Sequence, residues 1–258
     1  MSDLKYKRVI IKLSGEAIGG VETKTVNGEE KTVPKFGVDF DLALRICKNI
    51  KDCYDLGCEI AIVIGGGNIW RGKNGGDKMH GSNADNMGML ATTFNSVAIH
   101  DALETAGVPS VVMTAVPMPK IGDLFVSEKA VDAMKNGKVV IIAGGTGNPF
   151  FTTDTAVMLR AAELNVDLAV LGKSVDYVYT ADPATDPTAK AIKKASYDYL
   201  IENQLNVIDV AASAIAKNND IAAELFVLGE GEAIKDVISG KETRSTHISN
   251  DDEIIFLD

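Results

Sequence analysis

The chain has 258 residues, 46% of them apolar, with 26 Lys and Arg against 36 Asp and Glu and a net charge of −10. That length allows one large domain or two small ones, and such a chain buries roughly 70–75% of its unfolded surface. An acidic globule does not attract nucleic acid or anionic lipid as a whole, so neither is expected as a partner and any nucleotide site must be built locally.

The opening Met1-Ser2-Asp3-Leu4-Lys5 leads into no apolar leader-type run, and no stretch nears 18 apolar residues, so a soluble cytoplasmic protein is expected. Val9–Leu13 reads as a first strand, interrupted by Lys12 one residue before its end. A lysine there is buried at a cost unless its ammonium reaches the loop edge and meets an anion. Residues 21–35 carry Asn27-Gly28 between alternating flanks, the pattern of a protruding hairpin insertion. Residues 39–56 form a helix with Leu42, Ile46, Ile50, Cys53 and Tyr54 on one face and Gly57 as its stop. Cys47, Cys53 and Cys58 show no C-x-x-C pair or histidine partner and are expected to be buried, reduced thiols.

Cys58–Ile64 is the next strand and ends in Gly65-Gly66-Gly67. A long helix over Asp85–Ala106 is expected to turn Met87, Leu90, Phe94, Val97 and Leu103 inward, with Gly107 ending it. A strand at Val111–Met113 precedes a short helix opened by Ser127 as N-cap. Strands at Val139–Ile142 and Leu168–Leu171 flank a helix over Thr153–Leu164. After the turn-rich Asp182–Pro187 segment come helices near 196–205 and 209–218, then strands at Glu224–Leu228 and Glu253–Leu257. No repeat or linker interrupts the chain, so residues 1–258 read as one continuous α/β domain.

Near-continuous apolar strands separated by helices predict a three-layer αβα sandwich around a mostly parallel sheet. Ligands of such sheets bind where the loops leave the C-terminal strand ends. That rule gathers Ser14-Gly15, Gly65-Gly66-Gly67 and Gly144-Gly145-Thr146-Gly147 along one edge. Successive backbone N–H groups can wrap an anion only where no Cβ intervenes, so these loops suit polyphosphate. Neither common nucleotide motif fits. Gly172-Lys173-Ser174 could end a P-loop, but Asp167 stands where its first glycine belongs. Gly145-x-Gly147 could begin a dinucleotide fingerprint, but Phe150 occupies its last glycine position. Arg71 could fork onto a phosphate, Asp154 opens a helix, and His80, His100 and His247 are scattered without a role.

The strings Lys12-Leu13-Ser14-Gly15-Glu16, Gly65-Gly66-Gly67-Asn68-x-x-Arg71-Gly72, Asp85-x-Met87-Gly88-Met89-Leu90-Ala91-Thr92, Thr146-Gly147-Asn148-Pro149-Phe150-Phe151-Thr152-Thr153-Asp154 and Tyr179-Thr180-Ala181-Asp182-Pro183 together resemble the bacterial uridylate (UMP) kinases of the amino-acid kinase superfamily. The lysine and glycine strings are shared across the superfamily; Thr146–Asp154 is particular to uridylate kinases. The resemblance implies transfer of the γ-phosphoryl group of ATP to UMP, giving UDP and ADP in pyrimidine nucleotide synthesis, with Mg²⁺ carried by ATP and no metal ligands on the protein. A phosphate-monoester acceptor has a second pKa of about 6, so no general base is required.

By the same resemblance Lys12, Arg71 and Asp154 form the catalytic set, with Asp154 holding Lys12. ATP is met by Lys12, Leu13, Ser14, Gly15, Gly67, Arg71, Lys173, Tyr179 and Asp182, and UMP by Gly66, Asp85 and the run Thr146, Gly147, Asn148, Pro149, Phe150, Phe151, Thr152 and Thr153. The UMP side then spans roughly 1–165 and the ATP nucleoside side 166–258. Two departures stand out: Tyr177 replaces a customary glycine, and Lys173 replaces a small polar residue. The 21–35 hairpin falls where the matching family segment contributes to regulation by GTP. Family members are usually homohexamers, trimers of dimers, and UTP is a frequent inhibitor.

Overall fold

The β-branched run at the start forms the middle of the sheet because it is apolar on both faces. In this computed structural model, which describes residues 4–26, 29–71, 78–173, 175–227 and 233–257, that run is β1 (Arg8–Leu13). Asn27 and Gly28 of the expected turn, Gly72, Ser174 and the strand end Leu228 lie outside the described residues.

After β1 the chain makes α1 (Gly15–Gly19), the hairpin β2 (Val21–Val26) and β3 (Glu29–Pro34), α2 (Phe40–Tyr54) and β4 (Glu59–Ile64). Then follow α3 (Gly81–Thr105), β5 (Ser110–Thr114), β6 (Asp123–Leu124), α4 (Ser127–Lys135), β7 (Val139–Ala143), α5 (Thr153–Leu164) and β8 (Leu168–Lys173). The remainder is β9 (Val178–Tyr179), β10 (Ala191–Ser196), α6 (Tyr197–Glu202), α7 (Val210–Asn218), β11 (Ala223–Val227), α8 (Ala233–Ile238), β12 (Ser245–Ser249) and β13 (Ile255–Phe256).

The main sheet runs β13-β10-β12-β11-β8-β1-β4-β7-β5-β6, with β9 against β10. From β11 through β6 every pairing is parallel; β11 meets β12 antiparallel, and β10 is flanked antiparallel by β9 and β13. The chain order reverses about β1, which lies between β4 and β8. Such a reversal opens a crevice at the C-terminal strand ends, since the crossovers leave in opposite directions.

Each face of the sheet has its own apolar layer. On one, Val9, Ile11, Leu13, Ile60, Ile62 and Ile141 pack beneath Ile46 and Ile50 of α2, Ile99 and Leu103 of α3, and Val237 of α8. On the other, Ile10, Ala61, Val63, Val140 and Leu171 pack beneath Met134 of α4, Val157 and Leu164 of α5, Leu200 of α6 and Ala212 of α7. The expected αβα sandwich is therefore observed. Among the described residues no helix is long and apolar enough to cross a membrane.

Three expectations need correction. Helix α3 begins at Gly81, not Asp85, and Met87, Leu90, Phe94 and Val97 face outward; Leu90 and Phe94 are each 57% exposed. Its inner side is instead Ala91, Thr92, Asn95, Ser96 and Ile99, because the part of α3 near the glycine loops packs on backbone that needs hydrogen-bonding partners. Ser127 is the first residue of α4 rather than its cap: Val126 holds that position, and the Ser127 hydroxyl donates to Glu128. Strands β10 and β12 were not foreseen, since AIKKAS and STHIS lack apolar runs and acquire strand geometry by pairing.

Cys47, Cys53 and Cys58 are free and buried. Burial pushes the Cys47 and Cys53 thiols up to about 12, and Cys58 also upward. Such thiols hold their protons at neutral pH and are poor nucleophiles. Native protein at pH 8 is expected to leave a disulfide reagent unconsumed over minutes, and denaturant to release all three thiols. Rapid reaction in the native state would contradict this packing.

Candidate active site

Lys12 and Lys173 come from neighbouring strands. Lys12 is aligned with Leu171 in the parallel β1–β8 pairing, and Lys173 follows two residues later, so both side chains leave the same face of the sheet. That face is covered by α5, whose first turn carries Asp154. The Lys12 ammonium lies 2.6 Å from Asp154 Oδ1, and the Lys173 ammonium donates to Oδ2, also at 2.6 Å. The three side chains are 12–17% exposed. Burial alone would raise the Asp154 carboxyl, but the two ammonium groups more than offset it and hold its pKa below the usual carboxylate range. Burial pushes the Lys173 amine down to about 8, with repulsion from Lys12 adding to the effect and Asp154 opposing it.

The glycine loops are set by α3. Asn95 donates to the Gly65 carbonyl and to Asn68 Oδ1, both at 2.7 Å, and Asn68 donates to Gly37 O at 2.7 Å. Thr92 accepts from the Gly144 N–H at 2.9 Å. One helix therefore holds the ends of both β4 and β7. A Cβ on Gly66 would come within 2.7 Å of Ala91 Cβ and 3.0 Å of Gly88 O, and one on Gly15 within 2.4 Å of Asn68 Oδ1. These two glycines serve close approach between segments as much as any exposure of amides.

A cavity of about 250 Å³ opens between these loops. Among the residues expected at the acceptor, Gly66, Asp85, Thr146, Asn148, Phe151, Thr152 and Thr153 line it; so does Gly67, expected on the donor side. Gly147, Pro149 and Phe150 belong to the same loop outside that wall. Phe150 has φ +69°, uncommon for a non-glycine residue, and its N–H donates to Asp85 Oδ2 at 2.8 Å. Asp85 thus fastens the 146–153 loop across the mouth of the cavity.

A second cavity, about 540 Å³, is lined by Lys12, Thr152, Thr153, Asp154, Lys173 and Asp209, among others. Ser14 caps α1 and accepts from the Glu16 N–H, while the Leu13 side chain lies in the core and its carbonyl accepts from Gly65 N–H. Arg71 is exposed, beside Gly67, and ion-paired with Glu16. Tyr179 and Asp182 line a third cavity of about 440 Å³ together with Tyr177, which meets Tyr179 edge to face at 6.5 Å. The departure at Tyr177 therefore adds an aromatic wall. The Tyr179 hydroxyl donates to Asp176, which also accepts from Arg244, and Asp182 accepts from the Ala184 N–H.

Three residues that order the site were not singled out from sequence. Asn95 is described above. Asp209 caps α7, accepts from the Ala212 N–H at 2.8 Å, and receives the hydroxyls of Thr152 and Thr155, joining the starts of α5 and α7. Buried Arg160 donates to the carbonyls of Gly145 and Thr146 from behind and lies over the Phe125 ring. Asn95 and Arg160 show in the sequence only as polar residues in mid-helix, which does not say which way the side chain faces. Asp209 shows only as an acidic residue at a helix start, where the capping role accounts for it without its link to α5.

Gly66→Ala forces Ala91 and Gly88 of α3 apart from the loop. Overpacking of this kind destabilises by about 1–3 kcal/mol, and a lowered melting temperature with the acceptor cavity disturbed is expected; unchanged melting would contradict the contact.

The model of the amino acid kinase family matches residues 7–226. The uridylate kinase of Bartonella henselae is 42% identical over 241 residues, covering 92% of this chain and 95% of its own. That of Brucella melitensis is 43% identical over 240 residues, covering 92% and 94%. The crystal structure of UMP kinase from Bacillus anthracis superposes with a TM-score of 0.87 at 32% identity, covering 98% of this chain and 99% of the other. Fold, glycine loops and sequence agree: the chain belongs to the amino acid kinase family and stands within it among the uridylate kinases.

Proposed function

We propose that this protein transfers the γ-phosphoryl group of ATP to UMP, yielding UDP and ADP and feeding pyrimidine nucleotide synthesis. The observation that carries the reading is a shared wall. Thr152 and Thr153, at the start of α5, line both the cavity that holds Asp85 and the one that holds Lys12 and Asp154. Two phosphates entering from opposite sides meet at that helix start, where the dipole favours negative charge.

In this reading UMP occupies the cavity bounded by Gly66, Asp85 and the Thr146–Thr153 loop, with the Asp85 carboxylate accepting from ribose hydroxyls. ATP lies along Ser14, Gly15 and Gly67, with Arg71 near its phosphates and its nucleoside between Tyr179, Tyr177 and Asp182. Mg²⁺ enters as part of the nucleotide substrate. The acceptor oxygen is already ionised at neutral pH, so the protein positions the reactants and neutralises charge. Lys12 stabilises the transferring group and Asp154 fixes Lys12. The acceptor side then draws on residues 1–165 and the nucleoside side on 166–258, with Lys12 serving both. Three free, buried thiols accord with a cytoplasmic location.

The exposed apolar row Leu90, Phe94 and Val97 on α3 supports self-association into the hexamer usual in the family. Light scattering on the eluting protein should give a multiple of the chain mass, and Phe94→Lys should lower it; a wild-type monomer would exclude this face as an interface. Inhibition by UTP belongs to the same reading and is tested as a fall in ADP release when UTP is added to the turnover assay.

The direct test follows ADP release from Mg·ATP with UMP, CMP, dUMP, carbamate and aspartate as separate acceptors. Rapid turnover with UMP is expected, and turnover only with carbamate or aspartate would replace the proposal by a sister activity. Asp85→Ala should raise the UMP requirement and leave that for ATP nearly unchanged. An effect confined to ATP would reject the role given to Asp85.

A further inference from the structure

Lys12 accounts for one cation at the transfer point, and family resemblance leaves Lys173 as a substitution for a small polar residue. The geometry gives it a larger part. We propose that Lys173 is a second catalytic cation, whose ammonium, held beside that of Lys12 by the shared Asp154 carboxylate, binds the γ-phosphoryl group of ATP as it is transferred. This inference rests on the reading of the chain as a UMP kinase.

The first argument is placement. Lys12 and Lys173 rise from adjacent strands on one face, each contacts a different oxygen of Asp154 at 2.6 Å, and all three line the cavity of about 540 Å³. A group that meets Lys12 there lies within reach of Lys173. The second argument is charge. Lys12 paired with Asp154 is formally neutral, and Asp209 adds a further carboxylate to the same wall. With Lys12 as its only cation, that wall would carry net negative charge toward a triphosphate. Lys173 restores the balance. Asp209 also spends its oxygens on the hydroxyls of Thr152 and Thr155 and the amide of Ala212, so it is not the partner of either lysine. A buried ammonium is costly without full compensation. Asp154 shared between two lysines leaves part of that compensation to be supplied by the incoming phosphate.

The step balances without a proton. An ionised oxygen of UMP forms the new bond to the γ-phosphorus, the bond from that phosphorus to the bridging oxygen breaks, and its electron pair leaves with ADP. Negative charge on the transferring group is met by Lys12 on one side and Lys173 on the other. The charged groups facing Lys173 are Lys12 from β1, Asp154 from α5 and Asp209 at the start of α7. In the free enzyme its ammonium gives up its proton near pH 8. Below that pH the cation is present; above it kcat/KM for ATP declines, while bound triphosphate keeps the group charged and extends kcat to higher pH.

The experiment compares wild type, Lys173→Thr and Lys173→Arg in Mg·ATP and UMP turnover from pH 6 to 10, with thermal melting as a fold control. Wild type should show the alkaline decline in kcat/KM for ATP. Lys173→Thr should lose about 100-fold in kcat, the scale for removing one charge-stabilising donor, with a smaller change in KM. Lys173→Arg, charged throughout this range, should recover much of the rate without the decline. A folded Lys173→Thr that keeps kcat within about threefold, or a decline that persists in active Lys173→Arg, overturns this proposal and leaves the UMP kinase reading intact. Wild type that turns over no UMP overturns both.

Discussion

Two ammonium groups and one carboxylate share a mostly buried position at the C-terminal edge of the central strands, and much of the architecture serves to keep them there. Charges out of water are stable only when paired in good geometry. The parallel β1–β8 pairing supplies the lysines, and the crossover from β7 supplies Asp154 on α5. Each comes from a different part of the chain, so the cluster forms only when the sheet reverses its strand order about β1. The same reversal opens the crevice. Fold and charge cluster are therefore one constraint, met in the sheet and read out at its edge.

Around that cluster the backbone needs holding as firmly as the side chains. Loops rich in glycine lose much conformational freedom on folding and have few side chains of their own to anchor them. Here α3 supplies the anchors, with Asn95 on Gly65 and Thr92 on Gly144, while Arg160 of α5 holds the Gly145 and Thr146 carbonyls of that second loop. A helix used in this way turns part of its polar surface inward and leaves Leu90 and Phe94 outward. Its reversed polarity follows from packing on loop backbone over one stretch and on the apolar sheet at Ile99 and Leu103.

That reversal explains where sequence reading succeeds and where it fails. The order of strands, glycine loops and helices was legible because β-branched runs and their stops are local signals, and Thr153–Leu164 matches α5 at both ends. The inner face of α3 was misassigned because apolar periodicity presumes an apolar partner. Strands β10 and β12, with Lys193, Lys194 and His247 in them, owe their form to neighbours distant in sequence. In the candidate site the motif residues were legible, as was the interrupting Lys12. Asn95, Asp209 and Arg160 were not, since their work is to hold other residues. A helical polar side chain such as Asn95 or Arg160 carries no sign of its direction, and a capping aspartate such as Asp209 carries no sign of a second partner on another helix. Lys173 was visible as a departure, but its juxtaposition with Lys12 depends on strand pairing.

The same physics bears on how an acidic chain with scattered histidines can handle two polyanions. His80 pairs with Ser82, His100 with Ser110 and His247 with Glu224, and none of the three lines the cavities at the strand ends. At neutral pH the site therefore offers ammonium groups and oriented dipoles, with no histidine placed to move a proton. An acceptor that arrives already ionised asks for nothing more, provided that repulsion between the two phosphates is screened at the point of contact. A net charge of −10 spread over the surface is weakened by salt within a Debye length of about 8–10 Å. The Lys12–Asp154–Lys173 cluster, withdrawn from solvent, is screened far less, so the local sign of the field rather than the global one decides what the crevice binds.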